Sequence, residues 1–158
     1  MKKDHEFFIK VAALFASKSK CVKKHVGAVI VKDNRIISVG YNGTSPGLKN
    51  CNEVFDENNF DPVEHRKWSL DNEIHAEMNA ILYAAKNGNK IDGCDMYVTL
   101  HPCNNCLKNI TMSGIKNVYY LDDYVHDNPN PELLKKVNVQ KVNSEKLNKF
   151  IKTNKLVK

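Results

Sequence analysis

The sequence predicts an α/β domain, a mixed β-sheet with helices on both faces, and three observations predict it. Helical stripes alternate with Val- and Ile-rich runs along 158 residues, and two of those runs are separated only by a short turn. A later strand, helix, strand unit favours parallel strands joined by a crossover. The summed order is α-β-β-α-β-α-β with a weaker α-β-α tail. At this length one domain, 1–158, with a real core is expected.

Each element has its own signal. Residues 4–18 place Phe7, Val11, Leu14, Phe15 and Lys18 at helical spacing, with Asp4 as a cap, and predict a first amphipathic helix on that stripe. His25–Val31 and Arg35–Tyr41 read as strands joined through a turn at Lys32-Asp33-Asn34. From Asn42 to Asn72 the GTSPG, DENN and DP clusters show no sustained period, so a long loop or insertion is expected there. Residues 75–88 predict a second helix with Ala76, Ala80, Ile81 and Ala84 on one stripe and Gly88 at its end. Asp95–Leu100 reads as a strand, Cys103–Gly114 as a helix with Leu107 and Ile110 inward, and Val118–Leu121 as a strand. After Asn128-Pro129-Asn130-Pro131 come a short helix, an alternating strand around Val137–Val142 and a final helix from about Ser144.

Composition narrows the function. The first residues, MKKDHEFFIK, do not form a signal peptide, and no run is long and apolar enough to span a membrane. Lys and Arg exceed Asp and Glu to give a net charge of +6, with many lysines after Leu134. That tail reads as a solvated helix face, although a positive surface can also attract phosphate or nucleic acid. Five cysteines, Cys21, Cys51, Cys94, Cys103 and Cys106, form an odd set, which argues against a disulfide framework and for metal or catalytic use in a cytoplasmic chain.

Chemistry concentrates in two short motifs. His75-Ala76-Glu77 opens one predicted helix, and Pro102-Cys103-Asn104-Asn105-Cys106 opens another after a strand. Cys103 and Cys106, three apart at a helix start, share a face and can reach one metal, while the positive helix end favours thiolates. With His75 they supply three zinc ligands and leave the fourth tetrahedral position for water, as hydrolysis requires. Glu77 stands close enough to move that water's proton without binding metal. Taken singly, the pair of cysteines could be a redox pair, His75 a cap and Glu77 a first-turn acid. Together they match H-x-E…P-C-x-x-C, the known signature of zinc deaminases acting on nucleobases.

Over most of its length the chain resembles the cytidine deaminase superfamily and, within it, the deoxycytidylate deaminases. The resemblance runs through VGAVIV, IISVGYNGT, IHAEMNAI, VTLHPCNNC and DDYVHD, and GYNGT at residues 40–44 narrows it. It implies a three-layer α/β/α sandwich with a five-stranded mixed sheet and the hydrolysis of dCMP to dUMP and ammonia. It also implies that Asn42 bonds the sugar 3′-hydroxyl, that the Ala76 amide faces the base carbonyl, and that Tyr124 helps hold the 5′-phosphate. Read from the residues alone, Asn42 is an ordinary turn residue. Members of the family are often hexamers activated by dCTP and inhibited by dTTP with Mg2+, which carries over to Gly40, Tyr41, Asn42 and Gly43 as a regulatory site.

Cys21, Cys51, His65 and Glu73 form a second set of competent zinc ligands, and four of them would make a closed structural site pinning the long loop to the end of the first helix. Phage-type and some bacterial relatives carry a similar second zinc, and others lack it. The alternative is two buried free thiols with His65 and Glu73 at the surface. Cys94 has no evident partner and reads as a small core residue.

Two rival functions remain at this stage. A tRNA adenosine deaminase or other nucleic-acid editor would use the same machinery on a flipped-out base, yet the sequence lacks a basic and aromatic strip near the motifs, so nucleic acid is not the expected partner. A zinc-stabilised binding module would need no carboxylate beside an open coordination position.

Overall fold

The computed structural model describes residues 2–124 and 128–158, and Val125, His126 and Asp127 of the DDYVHD run lie outside the described residues. Two strands, β1 (Gly27–Lys32) and β2 (Arg35–Tyr41), form the antiparallel hairpin. Lys32 pairs with Arg35, so the loop is only Asp33-Asn34, and both residues have positive φ, 51° and 57°. A two-residue turn of that hand matches strand twist, and Asp and Asn tolerate the left-handed region better than most side chains. β1 starts two residues later than expected because His25 and Val26 direct their N–H groups elsewhere, to the Lys158 carbonyl and the Asn42 side chain.

β1 also pairs antiparallel with β5 (Asp95–Leu100), while β6 (Asn117–Asp122) and β7 (Asn138–Lys141) follow in parallel. The order is β2-β1-β5-β6-β7, the five-stranded mixed sheet expected. Side chains alternate across it. Val29, Val31, Tyr97 and Tyr119 meet α1 (His5–Ala16) and α7 (Glu145–Thr153) on one face. Ala28, Ile30, Met96 and Val98 meet α4 (Ala76–Lys86) and α5 (Asn104–Met112) on the other. Those helices make the outer layers of an α/β/α sandwich.

The face of α1 differs from the expected stripe. Phe7 and Leu14 are 51% and 50% exposed, whereas Phe8, Ile9, Ala12, Ala13 and Ala16 are buried. Close approach decides it: a β-carbon on Gly27 would stand 2.6 Å from the Ala16 nitrogen, so α1 turns its small residues to β1 and its larger ones outward.

The segment 42–72 is also more ordered than a loop. It holds β3 (Gly43–Thr44), a single turn α2 (Cys51–Val54) and an 11-residue helix α3 (Pro62–Asn72), which leads into β4 (Glu73–Ile74). α3 is polar on almost every side and buries only His65, so hydrophobic periodicity could not reveal it. Its start is conventional: Asp61 accepts from the Val63 and Glu64 amides, and Pro62 takes the first helical position. The Asp-Pro pair is a helix start, not a breaker. α6 (Pro131–Leu134), capped by Asn130, completes the elements.

Candidate active site

α4 and α5 begin side by side below the ends of the central strands, and their N-caps are His75 and Cys103. The His75 Nδ1 atom lies 3.6 Å from Cys103 Sγ and 3.4 Å from Cys106 Sγ. Zinc bound tetrahedrally at ordinary bond lengths separates its sulfur and nitrogen ligands by about 3.6 Å. The three donors therefore fit one zinc ion, with a side left open to the cavity beyond. Cys106 is buried and Cys103 half-buried, while His75 stands exposed at the cavity.

The protonation pattern of the donors agrees. Hydrogen bonds from Cys106 and His75 hold the Cys103 thiol down to about 4, and the contact with Cys103 lifts His75 to about 9. Its bond to Cys103, then burial, pushes Cys106 up. A thiolate beside an imidazolium is a donor set that a divalent cation enters by displacing protons.

Glu77 is the second residue of α4, 4% exposed, with its carboxyl against the Cys106 thiol. Burial pushes its pKa up, against the pull of His75. A carboxyl whose pKa is raised by burial, lining the cavity beside the metal donors, can receive a proton and pass it on.

The cavity these groups share has a volume of about 500 Å³, within the range of small-ligand sites. Asn42, Ala76 and Tyr124 all line it. Asn42 is 8% exposed and already occupied: its Oδ1 accepts from Val26 N and its Nδ2 donates to the Lys24 carbonyl, each at 2.9 Å. One amide hydrogen and one lone pair remain for another partner. Ala76 is the first residue of α4, where N–H groups have no intrahelical acceptor. Sequence reasoning missed Lys23, Lys24, Arg66, His101 and Asn105, which line the same cavity. The available signal was a place beside the second motif for His101 and inside it for Asn105; the others come from segments that only folding brings there.

A second donor group also comes together. Cys21, Cys51, His65 and Glu73 have ligand atoms within 4.8 Å of one another. The His65 Nε2 atom is 3.6 Å from Cys21 Sγ and 3.3 Å from Cys51 Sγ. Both thiols and His65 are buried, which removes the alternative of a surface histidine. Glu73 accepts from the Ser69 hydroxyl through one oxygen, while its Oε1 is buried without a partner among the described residues. An orphaned carboxylate oxygen beside two thiols and an imidazole makes a donor set that could hold a cation. Cys94, 1% exposed, packs in the core.

Of the regulatory set, Gly40 is buried against α4, while Tyr41 and Gly43 are half-buried. Among the described residues no helix is long and apolar enough to cross a membrane.

A layered α/β/α fold that brings three metal donors and a buried carboxyl to one open cavity defines a protein of the zinc-centred hydrolytic class. The chain belongs to the cytidine and deoxycytidylate deaminase family, whose zinc-binding region matches residues 2–122. The deoxycytidylate deaminase of Enterobacteria phage T4 is 37% identical over 184 residues, spanning 90% of this chain and 95% of that protein. A crystal structure of the dCMP deaminase from cyanophage S-TIM5, in complex with dCMP and dUMP, is similar at 35% identity and a TM-score of 0.72 over 90% of this chain and 99% of that one. A tRNA:A34 deaminase structure, 22% identical with a TM-score of 0.59 over 89% of this chain and 100% of that one, shares the fold alone.

Proposed function

We propose that this chain is a zinc-dependent deaminase that converts dCMP to dUMP and ammonia. The observation that carries the reading is a buried carboxyl, Glu77, lining the same cavity as His75 and Cys103 and touching Cys106. Those three residues would hold zinc, which when bound supplies Lewis-acid activation of a water. As the water oxygen bonds ring C4, Glu77 would take one water proton and deliver it to ring N3; it would then take the second proton from the new C4 hydroxyl and pass it to the amine, which leaves as ammonia as the C4–N bond breaks and the C4 carbonyl forms. The first-turn amide of Ala76 would bond the base carbonyl, Asn42 the sugar 3′-hydroxyl with its remaining hydrogen-bonding capacity, and Tyr124 the 5′-phosphate, a reading supported by the fact that all three line the cavity. Between the family's substrates, the dCMP reading is supported by relatives of that name that match nearly end to end. A tRNA substrate has only a shared fold behind it.

The second donor group is read as a structural zinc site, closed by four protein ligands and supported by the unpartnered Glu73 oxygen. The whole chain, 1–158, is read as one domain working in the cytoplasm, where its five cysteines stay reduced. Regulation by dCTP and dTTP with Mg2+ at Gly40, Tyr41, Asn42 and Gly43, and assembly as a hexamer, rest on the resemblance. Gly40 belongs to that set only through its backbone.

Loss of absorbance at the cytosine band on incubation with free dCMP tests the function. Turnover is expected. No turnover of dCMP alongside turnover of a tRNA stem-loop would replace this reading with the editing one.

A further inference from the structure

Asn42 lies between β2 and β3, and both its main chain and its side chain are held by the segment 19–26. Its main-chain N–H donates to the Val26 carbonyl at 3.2 Å, while its side chain accepts from the Val26 N–H and donates to the Lys24 carbonyl. Those partners are all main-chain atoms. A further tie comes from a side chain: Ser19 Oγ donates to the Asn42 carbonyl at 2.9 Å. The same oxygen accepts from the Cys21 N–H at 3.3 Å, so Ser19 stands between Cys21 of the second donor group and a residue that lines the main cavity. Ser19 and Asn42 are both buried. Serine hydroxyls in turns usually bond backbone a few residues away, whereas this one also reaches a carbonyl 23 residues on.

We propose that Ser19 is a positioning residue for the sugar end of the substrate, fixing Asn42 so that the remaining amide hydrogen and lone pair of its side chain meet the 3′-hydroxyl. The inference rests on the dCMP reading above and on the place given there to Asn42. The bonds to Lys24 and Val26 tie Asn42 to the entry of β1, and the Ser19 bond ties its carbonyl to the turn after α1, where the Ser19 N–H donates to the Ala16 carbonyl. The peptide that follows Asn42 needs such an anchor. No atom of another segment lies within 4 Å of where a β-carbon on Gly43 would stand, so that flexible residue has no packing about it, and the short pairing of Gly43 with Ile74 is its other restraint. Removing the hydroxyl leaves a buried carbonyl without this donor and frees Asn42 to turn its remaining hydrogen-bonding groups off the sugar. Ser19 is thus the link that a substitution can cut while Asn42 itself stays intact.

The test compares kcat/KM for dCMP and for 2′,3′-dideoxycytidine monophosphate, which lacks only the 3′-hydroxyl, in zinc-loaded parent, Ser19→Ala, Ser19→Cys and Ser19→Thr. The parent should prefer dCMP. In Ser19→Ala that preference should fall by about threefold to tenfold, the range of one misaligned hydrogen bond, mainly through the KM for dCMP. Ser19→Cys, whose thiol donates only weakly, should fall in the same direction and carries the test if the alanine variant does not fold. Ser19→Thr keeps a hydroxyl and should restore part of the preference. Zinc content and melting temperature are read in parallel. A preference that stays at the parent's value, including one where both substrates slow equally, makes Ser19 a structural residue and overturns the proposal, and so does a fall seen only where zinc is lost. A parent that turns over both nucleotides alike removes the sugar contact of Asn42, and the proposal with it, while the dCMP reading stands. A parent that does not turn over dCMP overturns both.

Discussion

Gly40 of β2 and Ala80 of α4 pack backbone to backbone, and a β-carbon on Gly40 would lie 2.5 Å from the Ala80 nitrogen and 3.1 Å from its Cα. The same seam carries Ser38 Oγ donating to the Ala80 carbonyl at 2.7 Å and Asn79 Nδ2 donating to the Tyr41 carbonyl at 2.9 Å. These contacts fix the depth of the helix that presents His75 and Glu77. In Gly40→Ala the added methyl meets main chain on α4, which cannot rotate away as a side chain can. The variant should lose about 1–3 kcal/mol in urea unfolding, the usual cost of overpacking. A variant as stable as the parent would show that α4 retreats freely, and that its position is set elsewhere.

Such backbone contacts mark the limit of what the sequence discloses. The hairpin, β5, α4 and α5 were legible because continuous apolar runs mark the buried strands β1 and β5, helical stripes mark α4 and α5, and the runs end on recognisable turns, Asp33-Asn34 and Gly88 among them. The donor triad was legible because two contiguous motifs open helices, with His75 and Cys103 at the N-caps and Cys106 in the first turn of α5. The face of α1 was misread because hydrophobicity ranks Phe7 and Leu14 above Ala12 and Ala16, while the fit against Gly27 favours small side chains. α3 was hidden because its order comes from Asp61, Pro62 and the contacts of His65 with two cysteines, not from an apolar stripe. Arg66, Lys23 and Lys24 look like any surface cations until the chain folds around them.

The second donor group predicts a metal count. If Cys21, Cys51, His65 and Glu73 hold zinc, the purified parent should contain about two zincs per chain, and Cys51→Ser about one. The lost ion should be the structural one, because Cys51 belongs to a small cluster with Val22, Phe55, Phe60 and Trp68, apart from the core that holds Cys106. Melting should fall by several degrees, since about 1 kcal/mol shifts the midpoint of a domain this size by roughly 2–4 °C. In the metal-free protein burial pushes the Cys51 thiol up to about 12, so the site should load poorly in acid, where protons compete with zinc for both thiols, and better as pH rises. A count of one in the parent would remove the second site altogether.

Glu77 allows the sharpest separation of chemistry from folding. Its carboxyl is buried beside Cys106 but lies outside the donor triad of His75, Cys103 and Cys106. Glu77→Gln keeps the shape and hydrogen-bonding reach of the side chain and removes its ability to exchange a proton. Because burial pushes the Glu77 pKa up, the neutral amide replaces a carboxyl that the fold already tolerates uncharged, so stability should change little. Turnover of dCMP should fall by about 10²–10⁴, the usual contribution of a positioned proton carrier. Zinc content and dUMP affinity should stay near the parent's, which would assign the loss to the chemical step rather than to metal or nucleotide binding. Loss of the catalytic zinc in Glu77→Gln would instead make Glu77 a support of the metal site and send the search for the proton carrier to other groups lining the cavity. His101, whose Nδ1 is engaged with the Pro102 carbonyl at 2.9 Å, leaves its other ring nitrogen for that task and would be the next residue to replace.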